Sequence, residues 1–233
     1  MSVHQELVAE IRAVLPLHAD PENAAGQQKY LKTTEPILGL KIPALRRMVQ
    51  QIARKHAPGG LPPADLLDTA RTLWDQATHR EYRRAAILLL LMPGHAKMLD
   101  SSAMELVEHF VRTGAWWDLV DECVHTHNHI RGVEGTAAFD AEYRRMLVWT
   151  RDPDRWIRRY AILCQLQAKQ NTSEKLLTQV IEANLEDKEF FVAKAIGWAL
   201  RDYARNSPGW VLKFVAAHPG MQSLSRREAL KRL

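Results

Sequence analysis

The sequence predicts an all-α protein. Apolar residues recur with the three- and four-residue spacing of a helix along most of the chain, and no segment alternates apolar and polar residues with a period of two. Proline, glycine and capping residues divide the chain into many short helices. A small residue followed by isoleucine returns at a regular interval, which indicates that one structural unit is repeated.

The composition is that of a soluble globular protein, and we expect one domain over residues 1–233. Hydrophobic residues make up 46% and charged residues 25% of the chain, and no apolar run is long enough to cross a bilayer, so we expect no membrane association. Residues 1–17 mix charged with apolar side chains, which favours an amphipathic helix over a secretion signal. Cys123 and Cys164 are the only cysteines, which argues against a disulfide framework and favours a cytoplasmic protein.

Start and stop signals place the individual helices. Asp20 followed by Pro21 has the pattern of an N-cap and a proline at the first helical position. Pro36–Leu40 is a short connector, Pro58–Pro63 is the clearest break, and Pro93 with Gly94 closes a helix. We expect helices over Val3–Val14, Pro21–Tyr30, Pro43–His56, Ala64–Trp74, His79–Met92, Lys97–Arg112, Trp116–His129, Thr136–Trp149, Pro153–Lys169, Ser173–Leu185, Lys188–Arg205, Pro208–Ala217 and Ser225–Leu233.

The repeated unit holds two helices. Ala86-Ile87, Ala161-Ile162 and Ala195-Ile196 lie 75 and 34 residues apart, and the larger gap is about two repeats with its midpoint near Cys123. A period of roughly 34–38 residues is typical of a HEAT-like α-solenoid of stacked antiparallel helix pairs. A small residue at one register lets neighbouring helices pack closely.

The repeat predicts a row of charges. Arg84, Asp121 and Arg159 each stand two positions before the repeated small position, and Arg158 and Lys194 lie near the same row. Stacking would place them on one concave, basic face. The net charge of +5 is modest, so two interpretations stay open: a cradle for a DNA backbone, or a solvated basic face with one balancing aspartate.

The segment Gly114–Asp121 holds two tryptophans and two aspartates. In a helix, Trp117 and Asp121 share one face, where an indole wall lies beside a carboxylate. That pairing suits a substrate that carries or develops positive charge. The alternative is structural, because tryptophan at helical spacing is usually core and aspartate near a helix start is usually a cap or dipole partner.

Several segments in order resemble the AlkD-type DNA alkylation repair glycosylases, which are HEAT-like repeat proteins. The resemblance extends over nearly the whole chain. The segments that carry it are Trp116–Asp121, Arg159–Leu163, Lys188–Phe191 continuing to Lys194–Trp198, and Leu224–Ala229.

The resemblance implies removal of N3- and N7-alkylated purines from duplex DNA by a monofunctional glycosylase, without a need for base flipping, metal or cofactor. Asp121 would be the catalytic carboxylate, and Trp117 and Trp198 would flank it and pack on the deoxyribose. Arg159 would hold a phosphate near the lesion. Tyr30 matches a position near the DNA, although the connector after it lacks the aromatic residues associated with that region. We expect a monomer at the nucleoid with alkylated double-stranded DNA as its partner.

Further residues have a functional and a structural interpretation. Arg84, Arg158, Lys194, Arg226 and Arg227 are candidate DNA contacts, with solvated surface charge as the alternative. Lys194 as a Schiff-base lysine is the less favoured interpretation. The remaining candidates are expected to be structural: the histidines His125, His127 and His129, which lack a usual zinc set, Asp118, and the tryptophans Trp74, Trp149, Trp156 and Trp210. The rival function is a non-catalytic HEAT-repeat protein that binds DNA structures or a protein partner.

Overall fold

A computed structural model describes residues 2–233. The fold is all-α and of the α-solenoid type, as predicted, and no strand occurs in the described part of the chain. The chain divides into two compact units, unit 1 up to Leu99 and unit 2 from Asp100 to Leu233. The single domain expected from the sequence stays a prediction. No helix in residues 2–233 is long and apolar enough to cross a membrane.

In the described residues of unit 1, six α-helices pack around a core of aliphatic side chains. The first helix packs on the third and fourth, and these two pack on the fifth. Leu7, Leu45 and Ile87 are fully buried between them. The helices are α1 Gln5–Val14, α2 Pro21–Leu31, α3 Ile42–His56, α4 Pro63–Asp75, α5 Arg80–Leu90 and α6 Pro93–Ala96, with a 3-10 turn at Leu15–His18.

The connector before α3 is held by one buried carboxylate. Glu81 on α5 accepts the backbone N–H groups of Leu38, Gly39 and Leu40 at 2.9, 2.9 and 3.2 Å. Gly39 adopts φ +88°, and a Cβ there would lie 2.1 Å from the carbonyl oxygen of Asp20. The connector can therefore pass this closely to α2 only with glycine at that position.

Unit 2 stacks the second helix of each pair side by side. Four helices, α8, α11, α13 and α15, pack on one another in that order. The unit consists of α7 Met104–Gly114, α8 Trp117–Cys123, α9 His127–Ile130, α10 Ala137–Trp149, α11 Arg155–Leu163, α12 Glu174–Glu182, α13 Phe190–Tyr203, α14 Pro208–Ala217 and α15 Ser223–Ala229, with 3-10 turns at Ser101–Ala103, Val124–Thr126 and Lys169–Asn171.

The predicted repeat is confirmed by the spacing of these stacked helices. They begin at Trp117, Arg155, Phe190 and Ser223, which are 38, 35 and 33 residues apart. Side-chain hydrogen bonds cross from one repeat to the next at the same interval: Asn128 donates to the carbonyl of Leu166, Arg155 contacts Glu189, and Asn184 donates to Thr150. Each repeat is thus tied to its neighbour by polar contacts as well as by apolar packing.

Several predicted helix bounds are wrong for identifiable reasons. The expected helix Trp116–His129 is broken because the hydroxyl of Thr126 donates to the carbonyl of Cys123 and tightens the turn after α8. The expected helix Lys97–Arg112 starts late because Asp100 caps a 3-10 turn by accepting the N–H of Ser102. Pro93 does not end a helix but begins α6.

Candidate active site

A buried ion pair joins α8 to α11. Arg159 Nε donates to Asp121 Oδ1 at 2.7 Å, and Arg159 Nη2 donates to Asp121 Oδ2 at 2.8 Å. The Arg159 side chain is 3% exposed and that of Asp121 is 11% exposed. The predicted alignment of these two residues in consecutive repeats is therefore confirmed, and the carboxylate keeps a small edge accessible to solvent.

The same arginine reaches a third helix. Arg159 Nη1 donates to the backbone carbonyl of Phe191 in the first turn of α13 at 2.6 Å. All three nitrogens of the guanidinium thus have partners within the protein. A phosphate contact by Arg159, which the sequence predicts, would have to add to these hydrogen bonds or replace one of them.

Burial and charge act in opposite directions on Asp121. Burial raises the pKa of Asp121 above its ordinary value of 3.8, Arg159 lowers the pKa, and the nearby carboxylate of Asp118 raises it further. Because a guanidinium has only donors, the two-pronged contact requires both oxygens of Asp121 to accept. The geometry is that of an ionised carboxylate held in one orientation.

The predicted indoles lie on the helices that carry or border this pair. Trp117 begins α8 and shares a helical face with Asp121, four positions later. Trp198 lies on α13, which packs against the helix of Arg159. Both indoles are half-buried. Their packing on a deoxyribose stays a prediction.

An aromatic cluster that the sequence analysis did not assign lies at the start of the same helices. Trp116, Trp156 and Phe191 place their ring centroids 5.7, 5.5 and 4.9 Å apart in the three pairings. Trp116 caps α8, Trp156 lies in the first turn of α11 and Phe191 in the first turn of α13. An aromatic residue near the start of each of three stacked helices was the available signal. The cluster fixes the three helix starts around the ion pair.

The candidate cations of unit 2 are paired with protein groups. Arg158 contacts Asp187 at 3.1 Å, Lys194 contacts Glu228 at 3.0 Å, and Arg226 donates to the carbonyl of His218 at 3.0 Å. Acidic residues on neighbouring elements thus approach Arg158 and Lys194, so the row that was expected to be basic with one carboxylate contains charges of both signs.

The remaining candidate DNA contacts differ in exposure. Arg227 is exposed on α15 of unit 2. In unit 1, Tyr30 near the end of α2 is 73% exposed and Arg84 on α5 is half-buried. Contact of these three residues with DNA stays a prediction.

His127 and most of the tryptophans that were expected to be structural are buried. His127 is buried with Nδ1 3.1 Å from the carbonyl oxygen of Cys164, and burial lowers the pKa of His127 to about 3. Burial also raises the pKa of the Cys164 thiol to about 12, which removes it as a nucleophile at neutral pH. Trp74, Trp149 and Trp156 are buried, which confirms that they are core residues. Trp210 is half-buried.

The arrangement suits stabilisation of positive charge better than nucleophilic attack. A carboxylate fixed by a bidentate arginine cannot swing toward a substrate, but it presents a constant negative field at its open edge. The same edge can orient one water molecule by accepting a hydrogen bond. These are the requirements for departure of a good leaving group through an oxocarbenium-like state.

Known proteins that are similar to this chain are described as DNA alkylation repair enzymes. Residues 11–233 match the family model described as DNA alkylation repair enzyme. A solved structure described as a predicted DNA alkylation repair enzyme from Enterococcus faecalis is similar, with 27% identity and a TM-score of 0.78. The match covers 92% of this chain and 96% of that chain. No curated protein gives a significant match.

Proposed function

Because this chain belongs to the DNA alkylation repair enzyme family, we propose that it is a monofunctional DNA glycosylase acting on alkylated purines in duplex DNA. It hydrolyses the N-glycosidic bond of N3- and N7-alkylated purines and leaves an abasic site. Alkylation at those nitrogens makes the base cationic, so the base leaves as a neutral group when the bond to the sugar breaks. The observation that carries the proposal is the two-pronged contact by which Arg159 holds Asp121, with Trp117 on the helix of Asp121 and Trp198 on the helix that packs against that of Arg159.

In the proposed reaction, Asp121 stabilises the positive charge that develops on the deoxyribose as the glycosidic bond breaks. Water then adds to the anomeric carbon, and its proton passes to solvent or through the carboxylate. Trp117 and Trp198 offer apolar, electron-rich faces to the same cationic centre. No base pocket is required, because the leaving group is already activated, and this agrees with an enzyme that need not flip the base.

Arg159 has two roles in this proposal. It fixes the orientation of Asp121 in the free protein, and it approaches a phosphate near the lesion when DNA is bound. Replacing Arg159 should therefore weaken DNA binding and slow excision together. The slope of log K against log salt should fall by about one phosphate contact, close to 0.9, if that contact is made.

The test is direct product detection. The protein is incubated with duplex DNA treated with a methylating agent, and free 7-methylguanine and abasic sites are quantified against untreated duplex. Release of free base together with an equal number of abasic sites supports the proposal. Abasic sites with strand cleavage by a lyase step would contradict the monofunctional assignment, and the absence of free base would contradict the glycosylase.

One observation favours the rival function, a non-catalytic helical module that binds DNA structures or a protein partner. The cations Arg158, Arg159 and Lys194 are already paired with carboxylates, as in a scaffold that binds elsewhere. That module would bind duplex without releasing base from methylated DNA, so the same assay separates the two.

A further inference from the structure

One glutamate of α15 holds two cations of α13. Glu228 Oε1 lies 3.0 Å from Lys194 Nζ, and Glu228 Oε2 contacts Arg201 Nη1. Arg201 Nη1 also donates to the backbone carbonyl of Glu228 at 3.3 Å. The carboxylate is 8% exposed, whereas the Lys194 and Arg201 side chains are 39% and 20% exposed. Lys194 and Arg201 are therefore partly accessible to solvent, whereas the Glu228 carboxylate that pairs with them is buried.

The two cations flank Trp198 on one helical face. Lys194, Trp198 and Arg201 stand at positions i, i+4 and i+7 of α13, which lie along a single stripe. The contacts of Glu228 with Lys194 and Arg201 therefore hold the surface of α13 one turn before and one turn after Trp198. The sequence predicts roles for Lys194 and Trp198 but none for Arg201 or Glu228.

Gly197 allows this arrangement. A Cβ at Gly197 would lie 2.5 Å from Glu228 Cβ and 2.7 Å from the carbonyl oxygen of Ser225. The backbones of α13 and α15 therefore approach closely where the glutamate starts. From this position the Glu228 side chain reaches both Lys194 and Arg201, which it could not do if α15 lay farther from α13.

The charge state of Glu228 is well defined. Lys194 first, and Arg201 second, lower the pKa of Glu228 to about 2, so it is ionised at neutral pH. The single negative charge of Glu228 thus neutralises only part of the two positive charges on Lys194 and Arg201. Lys194 has three donors and arginine has five, so both cations retain hydrogens for an additional acceptor.

We propose that Glu228 is a positioning residue for the proposed reaction, which holds Lys194 and Arg201 on either side of Trp198 and reduces their attraction for undamaged DNA. This inference rests on the proposed function. Glu228 thus lowers the affinity for undamaged DNA and raises the rate of base release. The carboxylate competes with phosphate for both cations, and in return it keeps the α13 face in the geometry that base release needs.

The main experiment compares the parent protein with Glu228→Gln, which keeps the shape and removes the charge. Binding to undamaged duplex should tighten, and the slope of log K against log salt should steepen by up to about 0.9 because one further cation neutralises a phosphate. Single-turnover release of 7-methylguanine at saturating protein should slow by about tenfold, because small misplacements of a substrate-contacting face reduce rate steeply.

Glu108→Gln is the matched control. Glu108 pairs with Arg112 on α7 of the same unit, so the variant removes an equal charge from an ion pair on a different helix. It should leave both affinity and release rate unchanged. Glu228→Asp separates position from charge, because the shorter side chain cannot reach both cations. It should tighten binding to undamaged duplex less than Glu228→Gln does, and it should release base more slowly than the parent.

A merely structural role predicts a different pattern. If Glu228 only stabilises the fold, Glu228→Gln should lower the melting temperature while the folded fraction binds with the parental salt slope and releases base at the parental rate. That result would overturn the proposal, as would weaker binding with an unchanged slope. Should Glu228→Gln not fold, Lys194→Gln takes its place, and an unchanged salt slope for that variant would equally overturn it.

Failure of the proposed function is recognised separately. If the parent protein releases no base, the glycosylase proposal fails. The salt slopes of the variants on undamaged duplex still report whether Glu228 competes with phosphate for the two cations.

Discussion

Units 1 and 2 each contain a carboxylate buried between helices, and the two are satisfied in different ways. Glu81 in unit 1 is 4% exposed and accepts three backbone N–H groups of the Leu38–Leu40 connector. Asp121 in unit 2 is 9% exposed when the whole residue is counted, and its carboxylate is bound by one arginine side chain. Backbone groups belong to the fold itself, so the first arrangement identifies a structural carboxylate.

The second arrangement leaves more freedom for function. Arg159 Nη1 can exchange the Phe191 carbonyl for a phosphate when DNA binds, whereas three consecutive backbone amides cannot change partner without rearranging the connector. Similar burial therefore does not imply similar roles. The partner of a buried charge, and whether that partner can be exchanged, decides between a structural and a functional assignment.

The largest expected effect comes from removing the partner of Asp121. Arg159→Met should lower the free energy of unfolding by about 3–5 kcal/mol, because it leaves an unpaired charge in a buried position. Urea denaturation followed by far-UV circular dichroism measures this. Adding Asp121→Leu to the same variant should recover much of the loss, and a double variant no more stable than Arg159→Met would show that the pair is not the source.

A smaller effect is expected at the structural carboxylate. Glu81→Gln should lower the free energy of unfolding by about 1.5–3 kcal/mol, because charge-assisted hydrogen bonds to the connector become neutral and one amide group faces another donor. The rate of base release by the folded fraction should not change. If Glu81→Gln released base more slowly than the parent when all of its DNA was bound, Glu81 would not be a purely structural carboxylate. The contrast with Asp121 would then be wrong.

At pH 6, the smallest effect on stability concerns His127, a buried group that carries no charge in the folded protein. Burial lowers the pKa of His127 to about 3, so between that value and its ordinary 6.5 the unfolded chain binds a proton that the folded protein does not. Stability should therefore fall as pH drops below 6.5, by up to about 1.4 kcal/mol per pH unit from this residue.

Unfolding curves at pH 7.0, 6.0 and 5.0 would show this dependence. Glu228 acts in a different window, because its pKa is lowered from 4.5 to about 2 and its stabilising contribution is lost only as pH falls below 4.5. Replacing the exposed His129 is the control and should leave the slope intact. A His127→Gln variant with the parental slope above pH 5 would refute the assignment.

Local signals were sufficient for much of the fold. Asp20 and Pro21 define the start of α2 as predicted, with Asp20 accepting the N–H of Asn23, and Thr136 caps α10 by accepting the N–H of Phe139. Such caps depend on residues within four positions. The repeat period is also visible in sequence, so the alignment of Asp121 with Arg159 across 38 residues was predictable.

Contacts set by tertiary packing were not predictable. The break after α8 depends on Thr126, whose hydroxyl also lies 3.3 Å from the hydroxyl of Tyr160 in the next repeat. The pairing of Lys194 with Glu228 depends on the close approach at Gly197. A linear pattern shows charges on one face, but only packing shows that Arg158, Arg159 and Lys194 each have a carboxylate against them.

The most direct test of the account concerns Asp121 alone. Single-turnover release of 7-methylguanine from a duplex with one lesion is measured for the parent and for Asp121→Asn, at protein concentrations that saturate binding of both. Glu122→Gln on the same helix is the control for charge. The account predicts that Asp121→Asn binds the duplex and releases base roughly 10²–10³-fold more slowly, whereas release by Asp121→Asn at the parental rate would contradict it.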